Sequence, residues 1–125
     1  MYDVNGSRAI ITGSAQGFGK EFALRLLQKG CKVCLSDIDE SKGLETKIEF
    51  QKQFGLNEDS VCFVKCNVAL RDGSWNELWD SAEEILKGPI DILINNAGLN
   101  PSKFRVWNEK NNMHLPHQIA RDLPT

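Results

Sequence analysis

The sequence has no long apolar run and no strong excess of charge of either sign. No stretch of its 125 residues approaches the roughly 20 consecutive apolar residues that a membrane-spanning helix needs, and the chain does not open on a basic segment followed by an apolar one. The formal net charge is −2, without a basic stripe or a polybasic run, so nucleic acid and anionic membranes are poor candidate partners. We therefore expect a cytoplasmic protein that binds a small molecule.

The positions of the cysteines argue against a metal site. The four cysteines are Cys31, Cys34, Cys62 and Cys66. The spacing of the first two invites a zinc or redox interpretation. Each pair lies in a strand-like stretch, however, and Cys31 and Cys34 are three apart, a spacing that points strand residues to opposite faces. The pairs are therefore badly placed to converge on one ion. The cysteines are therefore interpreted as reduced, buried side chains, and no metal is expected.

Short β-branched runs alternate with helical patterns along most of the chain. The runs 8–12, 32–37, 61–65 and 90–95 are too short for helices and are predicted to be buried strands. Helical periodicity lies between them, and in the second helix it passes through Leu44, Ile48 and Phe54. Strands joined by helices must run parallel, and right-handed crossovers then give the strand order 3-2-1-4. The sequence predicts an α/β fold, the N-terminal half of a Rossmann-type doubly wound parallel sheet.

The character of the sequence changes at Pro101. Apolar residues beyond it follow no helical or strand period, and the segment is interrupted by Pro101, Pro116 and Pro124. Residues 1–100 are predicted to form the folded domain and 101–125 an irregular or disordered tail, in which His114 and His117 are interpreted as solvated side chains. With no further strand beside it, the run 90–94 is expected to form an exposed sheet edge.

A glycine-rich segment joins the first predicted strand to the first helix. It runs Thr12-Gly13-Ser14-Ala15-Gln16-Gly17-Phe18-Gly19. Glycines let such a turn tighten and let backbone approach a ligand, and the helix start offers free N–H groups and the positive end of the helix dipole. A pyrophosphate fits this position, although glycines also serve turns and helix starts for purely structural reasons.

A carboxylate stands where a dinucleotide site needs one. Asp37 ends the second predicted strand about twenty residues beyond the loop, where it can accept hydrogen bonds from both hydroxyls of the adenosine ribose. The same charge would repel a 2′-phosphate, and neither 14–16 nor Ile38 offers an arginine or lysine to receive one. The sequence therefore predicts NAD rather than NADP as cofactor. The alternative interpretation of Asp37 is a solvated charge at a strand end.

Two motifs together resemble the short-chain dehydrogenase/reductase family. They are Thr12-Gly13-x-x-x-Gly17-x-Gly19 and, after the fourth strand, Asn95-Asn96-Ala97-Gly98. The resemblance covers about residues 4 to 100. It implies a pyrophosphate loop, an adenosine end, an adenine contact and a cofactor floor. The pyrophosphate loop comprises Gly13, Ser14, Ala15, Gln16, Gly17, Phe18 and Gly19. The adenosine end comprises Asp37 and Ile38, and the adenine contact comprises Asn67 and Val68. The cofactor floor comprises Asn96, Ala97 and Gly98. Asn67 departs from the family's usual aspartate, but its amide oxygen can still accept a hydrogen bond.

The family's catalytic residues have no counterpart in this sequence. The resemblance implies an NAD-dependent oxidoreductase that acts on a secondary alcohol, works as a homo-oligomer at full length and uses a serine, a Tyr-x-x-x-Lys motif and a further asparagine. Tyr2 is the only tyrosine, and the surroundings of Asn111 and Asn112 do not match. No catalytic residue is assigned, and the chain alone is expected to be inactive. Two interpretations stay open: a truncated or alternatively spliced product whose residues 101–125 lie outside the normal frame, or a non-catalytic NAD-binding module or subunit.

Overall fold

The structure is a computed structural model that describes residues 3–67 and 74–96, together with the backbone of 105–108 and 113–114. Its elements alternate between strand and helix as far as the fourth strand and then continue with two more strands. They are β1 (Arg8–Thr12), α1 (Gly17–Gln28), β2 (Lys32–Asp37), α2 (Glu40–Phe54), β3 (Val61–Lys65), α3 (Ser74–Leu86), β4 (Ile92–Asn95), β5 (Arg105–Asn108) and β6 (Met113–His114).

The sheet confirms the predicted topology. Its strands lie in the order β3-β2-β1-β4-β5-β6, and the pairs β2–β3, β1–β2 and β1–β4 are parallel. Parallel neighbours need crossover connections, and α1, α2 and α3 supply them. The carboxyl ends of the first four strands consequently meet at one edge of the sheet, which is where ligands bind in open α/β folds.

The predicted exposed edge at 90–94 is wrong. β4 begins at Ile92, and β5 pairs with it antiparallel, with Ile92 opposite Asn108 and Asn95 opposite Arg105. β6 then pairs antiparallel with β5. Two strands therefore lie inside the segment 101–125, which was expected to be irregular, and the rest of that segment lies outside the described residues. The apolar residues of this segment fit no sustained strand period, so the sequence pattern did not indicate these strands.

The helices cover both faces of the sheet. α1 and α2 pack on one face, where Phe22, Leu26 and Phe50 are fully buried, and α3 packs on the other through Leu78 and Leu86. The buried side chains of α1 and α3 recur three, four or seven residues apart, as the sequence predicts for amphipathic helices. No helix within the described residues has the length and apolar character that a membrane crossing requires.

α2 has a capped start and a glycine end, and its predicted apolar face is correct only at Phe54, which packs against the core. Asp39 caps the helix, since its Oδ1 accepts from the backbone N of Lys42 at 3.0 Å, and Gly55 ends it with a left-handed φ of 66°. Leu44 and Ile48, expected to face the core, are 40% and 47% exposed.

The buried face of α2 consists of Gly43, Thr46 and Phe50 instead. The reason is the aromatic ring of Phe63 on β3, against which a Cβ at Gly43 would collide. A helix that crosses this ring must turn its smallest residue toward it, and Leu44 and Ile48 are thereby rotated outward. Hydrophobicity alone selects the wrong face because it ignores the shape of the neighbouring strand.

All four cysteines are buried and free, as the sequence predicts. Cys31 donates from Sγ to the carbonyl oxygen of Val4 at 3.2 Å, and burial, with a smaller contribution from Asp91, raises the pKa of its thiol to about 12. Cys34 lies opposite Cys62 in the β2–β3 register. Its pKa is raised by a hydrogen bond with Cys62 and by burial. Across the described ranges, no three Cys, His, Asp or Glu side chains stand close enough together to hold a metal ion.

We expect the folded chain to react with the thiol reagent DTNB about tenfold or more slowly than the unfolded chain, because the thiolate is the reactive form and burial suppresses it. The measurement is the time course of thiol release at pH 8 with and without guanidinium, and the unfolded sample serves as the control for full reactivity. Rapid modification of even one thiol in the folded chain would contradict a core that encloses all four.

Candidate nucleotide-binding site

The loop between β1 and α1 follows a path that glycine makes possible. Gly13 and Gly17 both have a φ of 64°, in the left-handed region that favours glycine. Gly19 lies under the loop, where an added Cβ would collide with the carbonyl oxygen of Gly13 and approach Nδ2 of Asn96 to 2.9 Å. The first two glycines therefore set the backbone direction, and the third allows the helix to pass directly beneath the loop.

Ser14 anchors the loop to β2. Its backbone N donates to the carbonyl oxygen of Ser36 at 3.2 Å, while its Oγ donates to the carbonyl oxygen of Ile11 at 2.8 Å and accepts from the backbone N of Ser36 at 2.9 Å. The side chain is completely buried. The hydroxyl therefore makes one donor bond and one acceptor bond within the protein. These bonds extend the β1–β2 pairing into the loop.

Asp37 lies directly against the loop. Its Oδ2 accepts from the backbone N of Ala15 at 3.0 Å, and its Oδ1 accepts from the backbone N of Asp39 at 3.0 Å. The structure thus brings the Asp37 carboxylate and the glycine loop into direct contact, although they are 22 residues apart in the sequence. A carboxylate offers about four lone-pair positions, so the two backbone bonds leave acceptor capacity for ribose hydroxyls.

The start of α1 presents an uncapped helix terminus. Gln16 occupies the N-cap position with a φ of −159° and makes no side-chain capping bond, and the first turn carries no acidic residue. The first N–H groups of a helix have no partner inside it, and they lie at the positive end of its dipole. Phe18 and Ile38, exposed to 40% and 59%, are apolar side chains beside the two halves of the site. This surface suits an anionic group attached to a flat, apolar one.

Residues at the end of β4 brace the loop from the other side. Thr12 donates from Oγ1 to Oδ1 of Asn95 at 2.9 Å and accepts from the backbone N of Asn96 at 3.0 Å. Asn96 in turn donates from Nδ2 to the carbonyl oxygen of Gly13 at 3.2 Å. Asn96 therefore holds the loop in place. Asn67 is half-buried just beyond β3, while the predicted site residues Val68, Ala97 and Gly98 lie outside the described residues.

One site residue was not predicted from the sequence. Thr46 of α2 is buried and donates from Oγ1 to the carbonyl oxygen of Ala15 at 2.7 Å. The signal that could have revealed it is a polar residue at the helical spacing of Gly43 and Phe50, on the face that α2 buries. A buried hydroxyl in such a position needs a partner, and here the partner is the loop.

A family model confirms what the geometry suggests. The model of the short chain dehydrogenase family matches residues 7–117. The chain belongs to this family. The match continues beyond residue 100, where the sequence-based resemblance ended, so part of the segment expected to be irregular is family-like in sequence.

The curated relatives include NAD-dependent members of the family. The 15-hydroxyprostaglandin dehydrogenase [NAD(+)] of Bos taurus is 39% identical over 102 residues, covering 80% of this chain and 36% of the relative. The protein of the same name from Mus musculus is 40% identical over 119 residues, covering 94% of this chain and 41% of the relative. The chain therefore spans about two fifths, or less, of the length of these relatives. They confirm NAD as the cofactor of the group that this short-chain dehydrogenase resembles.

Solved structures of the family share the fold. A short chain dehydrogenase from Mycobacterium smegmatis superposes with a TM-score of 0.69 at 32% identity, covering 78% of this chain and 39% of that one. A family member from Burkholderia phymatum in complex with NAD gives a TM-score of 0.65 at 29% identity, covering 74% and 31%. These likenesses confirm the predicted Rossmann-type sheet.

Proposed function

We propose that this chain is the NAD-binding part of a short-chain dehydrogenase that oxidises a secondary alcohol. The observation that carries the proposal is the carboxylate of Asp37, held 3.0 Å from the backbone N of Ala15 in the glycine loop. Beside it lies the uncapped start of α1. An acceptor for ribose hydroxyls and a donor surface for a pyrophosphate thus share one edge of the sheet, as NAD requires.

In this proposal the chain's own residues bind and orient the cofactor. The loop 13–19 and the first turn of α1 receive the pyrophosphate, Asp37 receives the ribose, and Ile38 covers the adenine. Ser14 and Asn96 hold the loop in the geometry that makes this possible. When bound, NAD supplies the hydride acceptor. Removal of the alcohol proton needs a base, and this sequence has no Tyr-x-x-x-Lys motif to provide the family's base.

A second candidate function is a non-catalytic NAD-binding module or subunit, and one observation favours it. A doubly wound sheet continues with parallel strands beyond the fourth, but in this chain β5 occupies that position in the antiparallel direction. The family match through residue 117 also counts against an out-of-frame origin for the tail. Under both candidates the chain binds NAD and performs no hydride transfer alone.

We expect isothermal titration of the purified chain to show tighter binding of NAD than of NADP. We also expect no alcohol-dependent NADH formation with a panel of secondary alcohols, because no base is positioned to take the proton. A matched titration with the chain unfolded in guanidinium controls for non-specific heats. Failure of the folded chain to bind NAD would refute the proposed function, and alcohol-dependent NADH formation after removal of host dehydrogenases would refute the inactivity of the isolated chain.

A further inference from the structure

The helix α2 contacts the glycine loop at one hydroxyl. Thr46 Oγ1 donates to the carbonyl oxygen of Ala15 at 2.7 Å. A threonine inside a helix often turns this hydroxyl back to the carbonyl of the residue four positions earlier, which would be Lys42 here. The hydroxyl of Thr46 instead donates to the loop, and the residue is only 3% exposed. The bond is a tertiary contact between α2 and the loop.

The carbonyl that Thr46 holds belongs to the peptide between Ala15 and Gln16. The described chain contains no cis peptide bond, and in a planar trans peptide the C=O and the N–H point in opposite directions. Fixing the Ala15 carbonyl toward α2 therefore fixes the Gln16 N–H away from α2. Gln16 itself is exposed and occupies the N-cap position of α1.

The backbone N–H groups of the two preceding residues, Ser14 and Ala15, already donate hydrogen bonds within the protein. The N–H of Ser14 donates to the carbonyl oxygen of Ser36 at 3.2 Å, and the N–H of Ala15 donates to Asp37 at 3.0 Å. Within the part of the chain that the structure describes, the N–H of Gln16 has no acceptor. It is the first donor after Ser14 and Ala15 that a ligand can use.

We propose that Thr46 is a positioning residue of the dinucleotide site, which acts through the Ala15 carbonyl to aim the Gln16 N–H at the pyrophosphate. Ser14 and Ala15 lie in the same glycine loop but donate only to the protein. This inference rests on the proposed function, and it deepens that function by separating the loop residues that bind the ligand from those that hold the loop.

The test compares Thr46→Val, which keeps the shape and loses the donor, with Thr46→Ser, which keeps the donor. NAD and adenosine are titrated into each full chain, and thermal unfolding without ligand is recorded in parallel. We expect Thr46→Val to weaken NAD binding about three- to tenfold, the value of one hydrogen bond. Adenosine, which lacks the pyrophosphate, should bind all three proteins equally, and Thr46→Ser should restore NAD affinity.

A second measurement keeps the inference testable should Thr46→Val fail to fold. In the unaltered chain, NAD is added while backbone amide signals are followed by NMR. The Gln16 amide should shift more than the amides of Ser14 and Ala15. Larger shifts at Ser14 or Ala15, equal NAD affinity of Thr46→Val and the unaltered chain, or equal losses for NAD and adenosine would overturn the inference alone. Absence of NAD binding by the unaltered chain would overturn the proposed function, and the inference with it.

Discussion

Replacing Asp37 with asparagine is expected to reduce the preference for NAD over NADP by about 10- to 100-fold, since hydrogen bonds to a charged group are worth roughly 1.5–3 kcal/mol. Two effects act in the same direction. The amide binds the ribose hydroxyls less strongly than the carboxylate does, and it no longer repels the 2′-phosphate of NADP. The measurement is the ratio of the two dissociation constants from isothermal titration.

Asparagine is the informative replacement because Asp37 also supports the loop. Its two oxygens accept from the backbone N atoms of Ala15 and Asp39 at 3.0 Å each. An alanine would remove both bonds and disorder the site, whereas an asparagine keeps one acceptor and nearly the same shape.

The matched control for this prediction is Asp39→Asn. It removes an equal charge two positions away, from an exposed side chain that caps α2 through the backbone N of Lys42. We expect this variant to keep the preference for NAD. Lys65, which lies opposite Asp37 in the strand register, supplies a second check, because Lys65→Met should weaken NADP binding in the Asp37→Asn background. An unchanged ratio in Asp37→Asn would show that Asp37 is only a solvated charge at the end of β2.

Replacing Gly19 with alanine is expected to destabilise the fold and to abolish measurable NAD binding. The new Cβ would collide with the carbonyl oxygen of Gly13 and stand 2.9 Å from Nδ2 of Asn96. Overpacking of this kind costs about 1–3 kcal/mol. Since the obstacle is the backbone of the loop itself, relief comes only by moving Gly13, which displaces the donors that face the pyrophosphate. Thermal unfolding and NAD titration measure the two losses.

Gly55→Ala separates the effect on the site from the effect on the fold. Gly55 ends α2 with a φ of +66°, and nothing lies within 4 Å of an added Cβ there. The left-handed backbone alone costs about 1–2 kcal/mol for a residue other than glycine. This variant should therefore lose comparable stability and still bind NAD with unchanged affinity. If Gly19→Ala bound NAD as tightly as Gly55→Ala does, the close passage of α1 beneath the loop would not matter for the ligand.

The sequence predicts the sheet and the central site because both depend on local patterns. The strand order follows from alternating strands and helices with right-handed crossovers, and Asp37 is placed beside the loop because β1 and β2 are neighbours that end at the same edge. Nothing about these features requires knowledge of a particular side-chain contact.

The features that the sequence missed all depend on contacts between distant residues. The buried face of α2 is set by the ring of Phe63, which no periodicity within α2 can report. The hydroxyl of Thr46 finds its partner 31 positions away in sequence, and the inward turn of Ser14 depends on Ser36, 22 positions away. The strand β5 is recognisable only through its pairing with β4.

The pairing of β4 with β5 has a consequence for how we expect this protein to behave at high concentration. If the outer backbone of β4 were unpaired, this strand could pair with a second molecule. Its Ile92 and Ile94 are completely buried and belong to a sheet interior. β5 pairs with that backbone within the chain, and among the described residues the outermost strand on this side is β6, with two residues. So short a border offers few backbone groups to a second molecule, and very short border strands are one way in which natural proteins resist aggregation into fibrils. We therefore expect the pairing of β5 with β4 to limit self-association through β4.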